Sequence, residues 1–267
     1  MRLRVWLAAL PLLILLAAAP LTAAPAPLAA GPAGALSSAH WMRIERRIES
    51  GYFRQDVAGL QALAATLSGS REAGGDRKDE EWRSYYAALL AYRLALLAKS
   101  REARAWPFTE QCVERHDRAL ALDSGSAEAL ALQSACLALQ SRLDPWRSPL
   151  AAPLSLDRID KALRLAPDNP RVLLLGALAA RDRPRLFGGD LQQSFLLMRR
   201  AVGAFERQSA QPRGLPGWGA ADAFTDLAQD YLLRGEGLAA RNVLERALLV
   251  APDFAHARQL MAEIVSG

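Results

Sequence analysis

Three histidines, two cysteines and 28 acids are the first candidates for chemistry among the 267 residues, and their spacing decides what chemistry that would be. His40, His116 and His256 stand far apart, without the HExxH spacing that puts two imidazoles on one helix face for zinc. No Gly-x-Ser-x-Gly occurs, so an esterase-type nucleophile elbow has no candidate. The stretch GEGLAA (235–240) fits Gly-x-Gly-x-x-Ala, but a helical pattern precedes it where a dinucleotide site needs a strand. Asp79, Glu80 and Glu81 head an apolar run, where acids favour the positive end of a helix. His116 lies four residues after Cys112 and four before Leu120, a packing spacing that predicts a buried imidazole with its hydrogen bonds satisfied. The expectation is a protein that is not an enzyme and carries no cofactor and no metal.

The stretch RPRLFGGDLQQSF (183–195) is the strongest ligand-loop candidate, since paired glycines and an acid could cradle an anion or hold a metal. Its residues also have local work to do. Pro184 cannot lie inside a helix, and Gly188 and Gly189 permit positive φ as the chain reverses. Asp190 can cap the next helix, with Gln193 completing a box-like arrangement. A turn is the expectation, and a ligand rim the alternative.

Cys112 and Cys136 are the only cysteines and form a candidate disulfide. They lie twelve residues either side of residue 124, in the turn Asp123-Ser-Gly-Ser126. At about 1.5 Å per helical residue both sit about 18 Å from that turn. A bridge needs Cα atoms within about 7 Å, whereas neighbouring helix axes run about 8–10 Å apart. Rotation about the helix axes therefore decides, and the apolar run around Cys136 does not set it. Two buried free thiols are the other reading.

The ends and the totals place the chain. Arg2 and Arg4 precede the uncharged run Val5 to Ala19, and Ala and Pro follow, the layout of a secretory signal. Residues 1–24 are expected to be that signal, 25–36 an Ala/Pro-rich linker and 37–265 one helical domain. No cysteine follows the apolar run to take a lipoprotein anchor. An uncleaved membrane anchor is the minority alternative, because a span needs about 20 apolar residues and Pro11 and Pro20 interrupt this one. A periplasmic or otherwise exported bacterial protein is expected. Losing Arg2 and Arg4 lowers the formal charge from +5 to +3, and arginines alternate with acids as in Arg43-Ile-Glu-Arg-Arg-Ile-Glu49. That is a solvated mixed-charge pattern, with no stripe to track phosphates, so nucleic acid is not an expected partner.

The elements that position these residues are helices. Period-2 alternation is absent throughout, whereas Phe224, Leu227, Ala228 and Tyr231 fall on one helical face, as do Ala240, Leu244 and Ala247. Gly235 and Gly237 break the chain between the two sets, and Pro252 ends the second. With these residues at these offsets, 221–257 resembles a tetratricopeptide repeat. Looser copies end at Ala119, Ala162 and Ala201, and with Ala247 their spacings are 43, 39 and 46 residues, against about 34 in the standard repeat. Trp41, Ile44 and Ile48, with Leu60, Leu63 and Leu67 beyond Gly51, open the domain as a degenerate unit. A run of aromatics, Trp82, Tyr85, Tyr86 and Tyr92, reads as core with one or two members free to face a concave side. The resemblance implies an all-α, right-handed solenoid of stacked αα-hairpins, four to five degenerate units with long loops inside units, and a concave side lined by first helices.

The extra residues collect in 100–108, 143–153 and 182–190, each expected to join the two helices of one unit along a common edge. Trp106, Phe108, Trp146, Arg147, Arg185 and Phe187 are therefore the candidate partner-binding residues, since aromatic and arginine side chains anchor interfaces. The run FGGDLQQSFLLMRRAVGAFE, through Gly188, Gly189, Asp190, Phe195 and Ala201, resembles the T-component family of periplasmic solute transporters (TRAP transporters). The loop GLPGWGAAD (214–222) resembles a Pro-x-Trp-Gly loop of exported proteins of that kind. An exported, non-catalytic helical-repeat scaffold that binds a protein or peptide is the first expectation. The alternative is a periplasmic accessory protein handling a small apolar ligand.

Overall fold

Ala- and Leu-rich runs, punctuated by Pro, Gly and Asp, fold into helices wherever the chain is described. The computed structural model describes residues 33–69, 77–98, 102–209 and 214–266, so the expected signal lies outside them. Among the described residues the regular elements are eleven α-helices and one 3-10 turn, with no strand. They are α1 (Ala33–Phe53), α2 (Val57–Gly69), α3 (Arg77–Ala98), α4 (Glu102–Leu122), α5 (Ala127–Leu143) and α6 (Ala151–Leu165). There follow α7 (Pro170–Asp182), α8 (Leu191–Ser209), α9 (Ala220–Leu233), α10 (Gly237–Val250) and α11 (Ala255–Ser266). None of them is long and apolar enough to cross a membrane.

Local chemistry sets the helix ends. Ser126 caps α5 by accepting from the Ala129 amide at 3.4 Å. Asn169 caps α7, its side-chain oxygen accepting from Arg171 and Val172 at 3.0 and 3.2 Å, with Pro170 in the first turn where its missing N–H costs nothing. Two boundaries differ from expectation. Helix α1 starts at Ala33, inside the stretch read as linker, because Ala-rich sequence is good helix former once it has a body to pack on. Residues 102–108 are the start of α4 and not a loop. Pro107 interrupts only the bond to Ala103, whose exposed position leaves that carbonyl open to water, so the helix runs through.

Consecutive helices pack as pairs: α1 on α2, α3 on α4, α5 on α6, α7 on α8, α9 on α10. Small residues sit where the axes approach, and Ala162, Ala201, Ala228, Ala240 and Ala247 have no exposed surface. Helices α3, α5 and α7 then lie side by side on the inside. The two ends of the chain also meet. Phe53 of α1 packs with its ring tilted, 4.6 Å from that of Phe254, the residue before α11, with Tyr52 at 5.9 Å from the same ring.

In the last pair, Leu227 and Leu244 are buried and Tyr231 is half-buried. Leu244→Ala is expected to lower unfolding free energy by about 2–5 kcal/mol in urea titrations, as for a buried leucine that leaves a cavity. A change near zero would contradict the packing of α10 on α9.

Candidate functional site

Two arginines occupy the interior, whereas the mixed-charge pattern of the sequence suggests a solvated surface for its arginines. Arg93 is 2% exposed, within the apolar run YYAALLAYRLALLA of α3. Its guanidinium donates to Glu49 of α1 at 3.0 and 2.9 Å and to Asp222 of α9 at 2.8 and 2.7 Å. Tyr52 covers one face of it at 4.1 Å. Arg171, equally buried, pairs with Glu128 at 3.0 Å and donates to the Trp218 carbonyl and to Gln208 at 3.2 Å each. Removing one partner from such a buried pair costs about 3–5 kcal/mol, because the remaining charge is left in a poor solvent.

The segment 214–219 is drawn into this interior. Trp218 is buried and donates through Nε1 to the Tyr85 hydroxyl at 2.8 Å. The Gly217 amide donates to Glu45 at 2.8 Å, and Tyr86 donates to the same carboxylate. A side chain at 217 would put a Cβ 2.9 Å from the Glu45 carboxylate, so it would push that carboxylate away from the Gly217 amide. Burial pushes Glu45 above its ordinary value, against the pull of these donors. Burial likewise pushes Glu49 up to about 8, opposed by Arg93 and aided by the neighbouring Asp222. One guanidinium between two carboxylates leaves an excess negative charge that a proton can neutralise. Asp226 is raised for the same first cause, while Arg181 holds it at 3.0 Å.

Beside Arg93 opens a cleft of about 460 Å³. Its walls come from α3, α5, α7 and α9, with Tyr52 of α1 and Phe254 and His256 near the chain end. Leu174, Leu175, Leu178, Tyr92 and Phe254 give it aliphatic and aromatic surface. The charged residues along it are already matched: Arg93 with Asp222, Arg181 with Asp226, Arg142 with Asp182. Gln229 and His256, also in its lining, meet at 2.8 Å. A second hollow of about 340 Å³, lined by Trp82, Tyr85, Glu128 and Pro216, lies on the other side of the Trp218–Tyr85 contact. Such a cleft offers apolar contact area beside polar groups held in place by their partners, and among its described residues no nucleophile is paired with a base.

The loop candidates separate into different roles. Trp106 is buried in α4 under Arg147, whose guanidinium sits 4.2 Å over the indole, so it does not present a surface to a partner. Phe108 is half-buried against the core. Trp146 is 93% exposed, and Arg147 and Arg185 are exposed. The Phe187 side chain falls outside the described residues. The glycine pair makes a turn: Gly188 has φ +84°, the Gly189 amide donates to Pro184, and Asp190 accepts from Gln192 and Gln193 at 2.7 and 3.1 Å. Cys112 and Cys136 are joined, with Cα atoms 6.1 Å apart. His116 corrects the sequence reading, because it is fully buried yet neither ring nitrogen has a hydrogen-bond partner. Burial alone lowers its pKa to about 3, so it is neutral.

The sequence reading passed over Arg93, Glu49, Asp222, Glu45 and Arg171. The signal that could have found two of them is an arginine inside an uninterrupted apolar run, or at the head of one, as in RVLLLGALAA.

No known family profile matches the chain, and no curated protein matches it. Among solved structures it is similar to the HusA haemophore from Porphyromonas gingivalis, at 20% identity and a TM-score of 0.55, over 72% of this chain and 92% of that one. That likeness is one of fold.

Glu49 sets a pH dependence of known sign. Its carboxyl is raised in the folded state from 4.5 to about 8, so the folded chain keeps a proton that the unfolded chain has released. Its contribution to stability is therefore full below 4.5 and is lost as pH rises towards 8. Unfolding midpoints in urea should fall with pH across that window in the wild type, and Glu49→Gln should flatten the fall. An unchanged slope in the variant would assign it to other groups.

Proposed function

We propose that the protein is an exported, non-catalytic binding protein, built of stacked helix pairs of tetratricopeptide type, that holds a small apolar ligand in its central cleft. The observation that carries this is the form of the cleft. Arg93 ties α1 and α9 together across the interior, so the space beside it is a bounded cleft of about 460 Å³, a size that suits a small molecule better than an extended peptide. Ion pairing within the wall leaves aliphatic and aromatic surface as the source of affinity, and pockets of about 300–1,000 Å³ with few placed polar groups suit small molecules. The similar fold of a haemophore supports the same reading and makes haemin the first ligand to try. Export rests on the N-terminal signal pattern.

Native mass spectrometry of protein recovered from the exported fraction should show a bound small molecule. Haemin titration followed by absorbance should saturate at one equivalent. Ala138→Trp, which fills the cleft from α5, should abolish both signals. Wild type that carries nothing and binds no haemin or apolar dye would leave the cleft without a ligand role.

A protein partner on the loop edge is the second reading. Trp146 at 93% and Leu186 at 94% exposure, in the α5–α6 and α7–α8 connections, favour it, because tryptophan is enriched at binding hot spots. A photo-crosslinker at position 146 should then capture one discrete partner in cells, with none captured from position 241 on the exposed side of α10. Equal capture from both positions would remove this reading.

A further inference from the structure

Cys112 and His116 stand four residues apart on one face of α4, and Cys136 meets them from α5. All three have no exposed surface, and their two Sγ atoms and an imidazole nitrogen lie within 4.8 Å of one another. The orphaned His116 is the second observation. A buried polar group without a partner costs about 1–3 kcal/mol, and a sulfur is only a weak acceptor for its N–H. A neutral imidazole beside two sulfurs is the donor set that zinc-class ions take, at about 2.0–2.1 Å to nitrogen and about 2.3 Å to thiolate.

We propose that the Cys112–Cys136 disulfide and one soft divalent ion are alternative occupants of a single buried site, the ion being held by both thiolates and His116 when the bridge is reduced. Charge favours this class of ion. Two thiolates and a neutral imidazole around a divalent cation sum to zero, whereas a bare ion or an unpaired thiolate in the same place would be strongly disfavoured. With a phosphine as reductant, the S–S bond is cleaved, both sulfurs are protonated, and the phosphine takes the oxygen of water to become its oxide. Binding the ion then releases the two thiol protons. The site is independent of the cleft, since none of its three residues lines that cavity.

The probe is Cd(II), read by its thiolate charge-transfer absorption after anaerobic refolding of the full chain with phosphine. Reduced wild type should bind one equivalent, and the oxidised protein none. His116→Leu should bind more than about 100-fold more weakly, beyond the loss caused by removing an outer-shell partner. Re-formation of the Cys112–Cys136 bridge on oxidation of that variant reports that α4 and α5 still dock. X-ray absorption at the cadmium edge of the wild type should give two sulfur neighbours and one nitrogen, a result that depends on no variant. Sulfur-only coordination, unchanged affinity in His116→Leu, binding by the oxidised protein or no binding by the reduced protein would each overturn the proposal.

Discussion

A guanidinium cannot be taken out of water without acceptors for its donors and an opposite charge close by. Arg93 meets that requirement with Glu49 and Asp222, residues of the first and ninth helices, and the rest of the interior is arranged around the contact. Helices far apart in the chain must converge for it to form. Their convergence brings Tyr52 over the guanidinium and leaves room above it for Trp218, whose ring lies 5.4 Å from the same group. Packing alone would let the helix pairs curve to many similar extents. A three-helix ion cluster selects one.

The second arginine extends the same logic towards the other hollow. Arg171 anchors the carbonyl of Trp218 and pairs with Glu128, which also accepts from Asn169 at 2.6 Å and from Tyr85 at 3.3 Å. The segment before α9 is thereby held at both its backbone and its indole, and Glu45 holds the amide between them. The cost of burying these groups is offset only because nearly every one finds a partner. The consequence for binding is indirect. Acids and bases that could have recognised a charged ligand are engaged with each other, so the cleft presents hydrocarbon and aromatic surface alongside polar groups that already have partners.

Much of the architecture was legible in the residues. Helical periodicity without β alternation determines an all-helical chain, and Pro, Gly, Asn and Ser place most helix ends to within a few residues. Gly188, Gly189 and Asp190 carry their turn in their own backbone preferences, because positive φ and side-chain capping are local properties. The exception in 102–108 is instructive. Pro107 marks a local interruption, but burial of Trp106 and Ala105 against the body of the protein outweighs one lost hydrogen bond.

What only the tertiary structure decided are the relations between distant helices. Glu45, Glu49 and Arg93 look like ordinary members of mixed-charge and apolar helices until Gly217 and Asp222 arrive beside them, Gly217 standing 172 positions after Glu45. The same holds for the cysteines, whose level position follows from their distance to a shared turn, while their facing one another follows from helix rotation. Sequence periodicity records which face of a helix is apolar. It does not record which other helix meets that face, because that choice is made by the summed packing and charge pairing of the whole chain.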